Sequence, residues 1–210
     1  TTASYSPPAA ISGTTYYYCI VSIAGGGCPS ITSSISEVIV LADPTITTQP
    51  TATQTICVGG VPSNLTLAYS NGTGSATYQW YSNTTNSTTG GTTIAGATAA
   101  SYTPPVLNTV GNFYYYGIAT LSGQGCGTAT SSVAQVTVVA DPTISTQPTA
   151  TQTICVGGIP ANLTVASSNG TGTTTYQWYS NTTNSTTGGT SIAGATSATY
   201  APPALNTAGS

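Results

Sequence analysis

Tyr78-Gln79-Trp80-Tyr81-Ser82-Asn83-Thr84-Thr85-Asn86-Ser87 reads as a strand running into a polar loop. Tyr78 and Trp80 share one face, as alternate residues of a pleated strand do. Trp80 sits mid-strand between core candidates, so it reads as a buried residue rather than an exposed binding aromatic. The same ten residues recur as Tyr176–Ser185, an offset of 98.

That offset governs the whole chain. Ala42-Asp43-Pro44-Thr45-Ile46 returns as Ala140-Asp141-Pro142-Thr143-Ile144, Cys57 as Cys155, Trp80 as Trp178, and Tyr102 as Tyr200. Between 42–112 and 140–210 roughly four residues in five are identical, and the changes are mild, such as Val61 for Ile159 and Leu67 for Val165. The opening stretch is the back half of the same unit. Ala3-Ser4-Tyr5-Ser6-Pro7-Pro8 matches Ala100–Pro105, and Tyr16-Tyr17-Tyr18 matches Tyr114-Tyr115-Tyr116. Residues 1–42 therefore read as the C-terminal half of a repeat, 43–140 as a complete one, and 141–210 as the N-terminal part of a third. A unit near 100 residues is domain-sized, unlike a solenoid repeat of about 20–45 residues.

Within the complete unit, alternation and turn residues predict strands near Thr45–Thr48, Thr55–Val58, Asn64–Tyr69, Thr77–Ser82, Thr92–Ile94, Ala100–Thr103, Phe113–Leu121 and Val133–Val139. Gly59-Gly60, Asn71-Gly72, Gly90-Gly91 and Pro104-Pro105 punctuate them. Leu65 and Leu67 alternate onto one face and oppose Trp80, with Tyr102 and Tyr115 completing the predicted core. The fold class expected is all-β, tandem immunoglobulin-like β-sandwiches. Tyr114 and Tyr116 fall on the opposite parity to Tyr115. With Tyr16 and Tyr18 they are expected to point outward and to serve assembly.

Composition excludes most chemistry. The chain has no His, Lys or Arg, and its only acids are Glu37, Asp43 and Asp141. Without a base no nucleophilic triad can form, and one acid per repeat cannot supply a carboxylate pair. No Cys/His metal motif is present, and no lysine exists for a phosphate loop. With nothing positive to neutralise phosphates, nucleic acid is not an expected partner. Catalytic residues, cofactors and metals are expected to be absent. No apolar run of about 18 residues suggests a membrane span. A surface of Thr, Ser, Asn, Gly and Tyr lacks the charge repulsion that keeps ordinary proteins apart, which suits a glycan-coated or polymerising chain.

Pro44-x-Ile46-x-x-Gln49-Pro50, Ile56-x-x-Gly59, Trp80 and Tyr17-Tyr18-Cys19 resemble the strands of an immunoglobulin-like domain of bacterial surface type. The phrase around Trp80, Ile94-Ala95-Gly96-Ala97-Thr98 and Tyr16–Val21 are similar to repeats of giant cell-surface proteins of Bacteroidota. These include the mobile adhesins of gliding motility exported by the type IX route. The resemblance implies an extracellular filament, stalk or adhesin at the cell surface. It departs from antibody domains in its cysteines: Leu67 stands at the first cysteine position, and Gly117 stands opposite Cys19.

The five cysteines are Cys19, Cys28, Cys57, Cys126 and Cys155. A Cys57–Cys126 bridge inside the complete repeat is expected, closing a loop of about 70 residues and stabilising by roughly 3–4 kcal/mol. Cys28 and Cys155 would then pair outside this stretch, and Cys19 would bridge to Cys28 or remain a buried thiol. Asn64, Asn71, Asn83 and Asn86, with Asn162, Asn169, Asn181 and Asn184, each open an N-x-[ST] sequon. They are glycan acceptors in one reading and bare loop residues in the other. Asp43 and Asp141 precede Pro at repeat junctions, where one carboxylate is too few for calcium and a turn role is expected.

Both ends cut through a repeat. One reading is a window on a longer repeat chain; the other is a subunit whose ends complement each other head to tail. Residues 1–14 duplicate the content of 197–210, which favours the window. The loop Asn83–Gly91 equals Asn181–Gly189. This favours a structural filament over an adhesin that binds glycans through specialised loops.

Overall fold

The computed structural model describes residues 4–27, 29–123 and 127–208, and every regular element among them is a strand. The Cα framework falls into two compact units, one of 1–54, 62–105 and 112–136, the other of 55–61, 106–111 and 137–210. Among the described residues, no helix is long and apolar enough to cross a membrane.

The opening segment is a long hairpin. β1 (Gly13–Tyr17) pairs antiparallel with β4 (Ser36–Val40), and β2 (Ile20–Val21) with β3 (Ile31–Thr32). The complete repeat follows with β5 (Thr45–Thr48), β6 (Thr53–Cys57), β7 (Leu65–Thr66), β8 (Ala68–Ser70) and β9 (Ala76–Asn83). It continues with β10 (Thr92–Thr93), β11 (Ser101–Tyr102), β12 (Gly111–Leu121), β13 (Thr128–Thr130) and β14 (Ala134–Val139). One sheet runs in the order β10-β9-β12-β14-β6, with β13 also on β12. Bonds from Gln135 N to Ala52 O (2.8 Å) and from Val58 N to Val139 O (3.1 Å) show β6 advancing parallel to β14. The second sheet is built on the β7–β8 strand, which pairs with β5 at one end and β11 at the other. A bond from Leu67 N to Ala100 O bridges its two pieces. Two sheets, the second centred on the Leu67 strand and the first on the Trp80 strand, make the immunoglobulin-like sandwich expected from the sequence.

The core lies where the alternation put it. Leu65, Leu67, Trp80, Val136 and Val138 are almost wholly inaccessible, and Tyr115 is only 5 % exposed. Trp80 donates its indole N–H to Ala99 O at 2.9 Å, so the ring is buried without an unpaired donor. Tyr102 packs against both Trp80 and Tyr115, with ring centroids 6.0 and 5.9 Å apart. Gly117 lies under this cluster because nothing larger fits. A Cβ there would collide with Leu67 Cδ2 and approach the Trp80 ring at 3.2 and 3.3 Å. Next to it, buried Ser131 accepts from Gly117 N at 2.9 Å and donates to Ser132 O, which satisfies its hydroxyl.

Burial, with the neighbouring Tyr102 phenol adding to it, pushes the Tyr115 phenol up to about 12; burial alone raises Tyr102. A folded-state value above the unfolded one means the fold holds its proton more tightly. The contribution is complete below about pH 10 and disappears as pH rises through about 12. The midpoint of thermal unfolding is expected to fall steeply between pH 10 and 12. Tyr115→Phe should flatten that decline in a series of calorimetric scans, and an unchanged slope would contradict the assignment.

Two features differ from the sequence expectation. The last strand is preceded by β13, which Gly127 and the Ser131-Ser132 break kept from view as a separate element. Tyr116 is not outward-facing: it is 3 % exposed, stacked on Tyr81 at 5.1 Å and 6°, and roofed by the turn at Gly91. A central strand of a five-strand path is covered on both faces, so parity alone misassigned it.

The third repeat reproduces the first half of this plan. β15 (Thr143–Thr146) pairs with β17 (Ala166–Ser168), β16 (Leu163–Thr164) with β20 (Thr199–Tyr200), and β18 (Tyr179–Ser180) with β19 (Thr190–Ser191).

Candidate assembly surfaces

The opening hairpin and the stretch after Asp141 repeat hydrogen bonds of the complete repeat. In the opening hairpin, Ser33 N donates to Cys19 O and Cys19 N to Ser33 Oγ, both at 2.8 Å. These are the bonds that Ser131 and Gly117 make in the complete repeat. Tyr5 lies 5.7 Å from Tyr17, as Tyr102 lies near Tyr115. In the third repeat Trp178 donates to Ser197 O at 2.8 Å and packs 5.9 Å from Tyr200, repeating Trp80 and Tyr102.

Tyr16 and Tyr18 are 63 % and 64 % exposed, and Ile20, Val21 and Ile23 also face solvent. Trp178 is half-buried where Trp80 is fully enclosed. Beside it, Tyr179, Asn181, Ser185 and Gly189 line a cavity of about 400 Å³. Of the four tyrosines expected to serve assembly, Tyr16 and Tyr18 are therefore exposed, Tyr114 is half-buried, and Tyr116 belongs to the interior of its own repeat.

Three of the five cysteines fall among the described residues. Cys57 is a free, half-buried thiol at the end of β6, and Cys155 and Cys19 are free and exposed. Cys28 and Cys126 lie outside the described residues. Because β6 runs parallel to β14, Cys57 stands at the Val139 end of the sandwich. Cys19 is neither bridged nor buried.

The sequons divide by what their amides already do. Asn83 Nδ2 donates to Ser87 O at 2.9 Å and Thr89 O at 3.0 Å, while its Oδ1 accepts from Thr84 N at 2.8 Å. Asn181 repeats this with Ser185 O and Thr187 O at 3.1 and 2.9 Å. A glycan bonded to that nitrogen would remove a donor that holds the loop closed. Asn64, Asn86, Asn162 and Asn184 are exposed, as are Asn71 and Asn169, which sit at positive φ before Gly in tight turns. Expression in a glycosylating host, followed by peptide mass mapping, is expected to find Asn83 and Asn181 bare. Full occupancy at Asn83 would contradict this geometry. Asp43 and Asp141 are exposed ahead of Pro44 and Pro142. No group of three metal-ligating side chains occurs among the described residues.

Several solved structures are similar to this chain at low identity. They include Sidekick-1 immunoglobulin domains 1–5 (15 % identity, 78 % of this chain and 34 % of that one, TM-score 0.41). Drosophila OTK extracellular domains 3–5 match at 20 % identity over 78 % of this chain and 51 % of that one, TM-score 0.40. Fibronectin(III)-like modules of Clostridium thermocellum CbhA match at 18 % identity over 61 % and 63 %, TM-score 0.30. This chain thus spans about a third to two thirds of the length of those structures. No curated protein matches the sequence. The family model described as Domain of unknown function (DUF8696) matches residues 46–140 and again 144–209, and the chain belongs to that family.

Proposed function

We propose that this chain is a structural element of an extracellular filament or stalk at the cell surface, built from immunoglobulin-like repeats with the boundaries 1–42, 43–140 and 141–210. The observation that carries the reading is the near-identity of successive repeats, loops included: Asn83–Gly91 is the same as Asn181–Gly189. Length and stiffness need copies of one unit, whereas a divided binding role would have diversified the loops. The almost uncharged surface supports lateral or end-to-end association. The short Asp-Pro junctions support a restricted angle between neighbours. The resemblance to Bacteroidota surface repeats supports the extracellular placement.

The competing reading is an adhesin that binds glycans through repeated domains, with avidity supplied by the copy number. Negative-stain electron microscopy of the purified protein at rising concentration separates the two. Continuous fibres are the expected result. Isolated flexible particles that bind immobilised glycans would overturn the filament reading in favour of adhesion.

A further inference from the structure

We infer that the complete repeat bears tension along the chain, through a shear lock formed by β6 and β14 and pinned by Gln49 and Gln54. The inference goes beyond the filament reading, because a tether or an adhesin arm would be loaded in the same way. Load enters the repeat at Ala42 and leaves at Ala140. Ala42 lies at the Leu121 end of the sandwich. Its carbonyl accepts from Gly72 N at 3.1 Å, and in the same turn Thr73 O accepts from Gly123 N at 3.0 Å. β14 leaves by the opposite end. Ser131 N donates to Gly117 O at 2.8 Å and Gln135 Nε2 to Asn112 Oδ1 at 3.1 Å, so β14 runs antiparallel to β12 and reaches Val139 beyond Gly111.

Tension therefore draws β6 and β14 in opposite directions along their own axes. The two strands are adjacent and parallel, and the load reaches one at its start and the other at its end. Their ladder bonds lie across the load and must yield together rather than one after another. Ala52 O and Val58 N both face β14. Strand alternation gives the backbone groups of Gln54 and Ile56 the same facing, and turns those of Thr53 and Thr55 toward the sheet edge. β14 is held on both sides, by β12 and β6, whereas β6 ends the sheet and has only β14 beside it. The β6–β14 ladder is thus the joint that sets the resistance.

Two glutamines reinforce that ladder. Gln54 bonds both backbone groups of Ser63, accepting from its N at 2.6 Å and donating to its O at 3.2 Å, which ties β6 to the chain entering β7. Gln152 holds Ala161 in the same way, at 2.7 and 3.1 Å. The tie survives the exchange of Ser63 for Ala161 because it uses only the backbone of that residue. Gln49, ahead of β6, accepts at Oε1 from Ser132 N at 2.7 Å and from Ser132 Oγ at 3.1 Å. That contact fastens the loaded entry to the start of β14.

Single-molecule stretching of the 210-residue chain by its two ends tests the lock. The opening hairpin is the internal reference. β1 and β4 are antiparallel with Gly13 opposite Val40, so the same pull opens it one pair at a time. The complete repeat is expected to yield last and at distinctly higher force, lengthening the chain by roughly 300 Å at ~3.3–3.6 Å per residue. Ile56→Pro removes a donor of the ladder, whereas Thr55→Pro removes one that faces the edge. At fixed force the first should unfold about 2- to 12-fold faster than the second, over and above any difference in their unfolding rates in urea. Gln54→Ala leaves the ladder intact and keeps the test open if Ile56→Pro does not fold. Losing its two bonds should speed yielding under load by about 5- to 150-fold. A complete repeat that yields at the force of the opening hairpin would overturn the inference. So would equal acceleration by both prolines, or an unchanged rate under load for Gln54→Ala. Fibres formed by a protein whose repeat yields that easily would leave the filament reading standing and remove only the lock. A strong repeat that never forms fibres would do the reverse.

Discussion

Replacing Trp80 by Ala is expected to destabilise the complete repeat by about 3–5 kcal/mol, the usual cost of emptying a large buried aromatic site. Trp80 is wholly inaccessible, contacts Tyr102, and donates to Ala99 O at 2.9 Å. Its removal leaves a cavity facing Leu67 and an orphaned carbonyl. Trp178→Ala provides the internal comparison, since its ring is only half-buried in the single chain. Its cost should be much smaller. Urea unfolding of both variants measures the contrast, and equal costs would contradict it.

Gly117→Cys carries the second large effect. Placed in the complete repeat, the new Cβ meets Leu67 Cδ2 and the Trp80 ring, and Leu67 is too enclosed to swing away. Overpacking of this kind costs about 1–3 kcal/mol. Adding Leu67→Val should recover most of the loss, because valine lacks the Cδ2 atom that the new Cβ strikes. The coupling is read from a double-mutant cycle by thermal unfolding. Strict additivity of the two changes would show that the two positions do not sense each other.

Much of this was legible in the sequence for a physical reason. Alternation reports on strands buried on one face, so Leu65, Leu67 and Trp80 were found, and the first strand of the complete repeat matched its predicted bounds at Thr45–Thr48. The same signal fails for a strand covered on both sides. Tyr116 looked like a surface residue because its cover comes from Tyr81 and the turn at Gly91, neither of which parity can anticipate. Sequence spacing also says nothing about which end of a sandwich a cysteine occupies: that Cys57 stands at the Val139 end followed only from the parallel course of β6 beside β14. Asn83 carried a sequon, but its loop-closing bonds depend on a fold of six residues that the motif does not encode.

Hydrogen exchange read by mass spectrometry at low and high protein concentration tests the central claim most directly, namely that each repeat is one sandwich whose Trp strand is sealed by a Tyr-rich hairpin. Peptides spanning 76–83 and 111–121 are expected to be protected at every concentration. Peptides spanning 13–21 and 176–181, the more exposed counterparts, should exchange faster. Equal protection of 76–83 and 176–181 would contradict this.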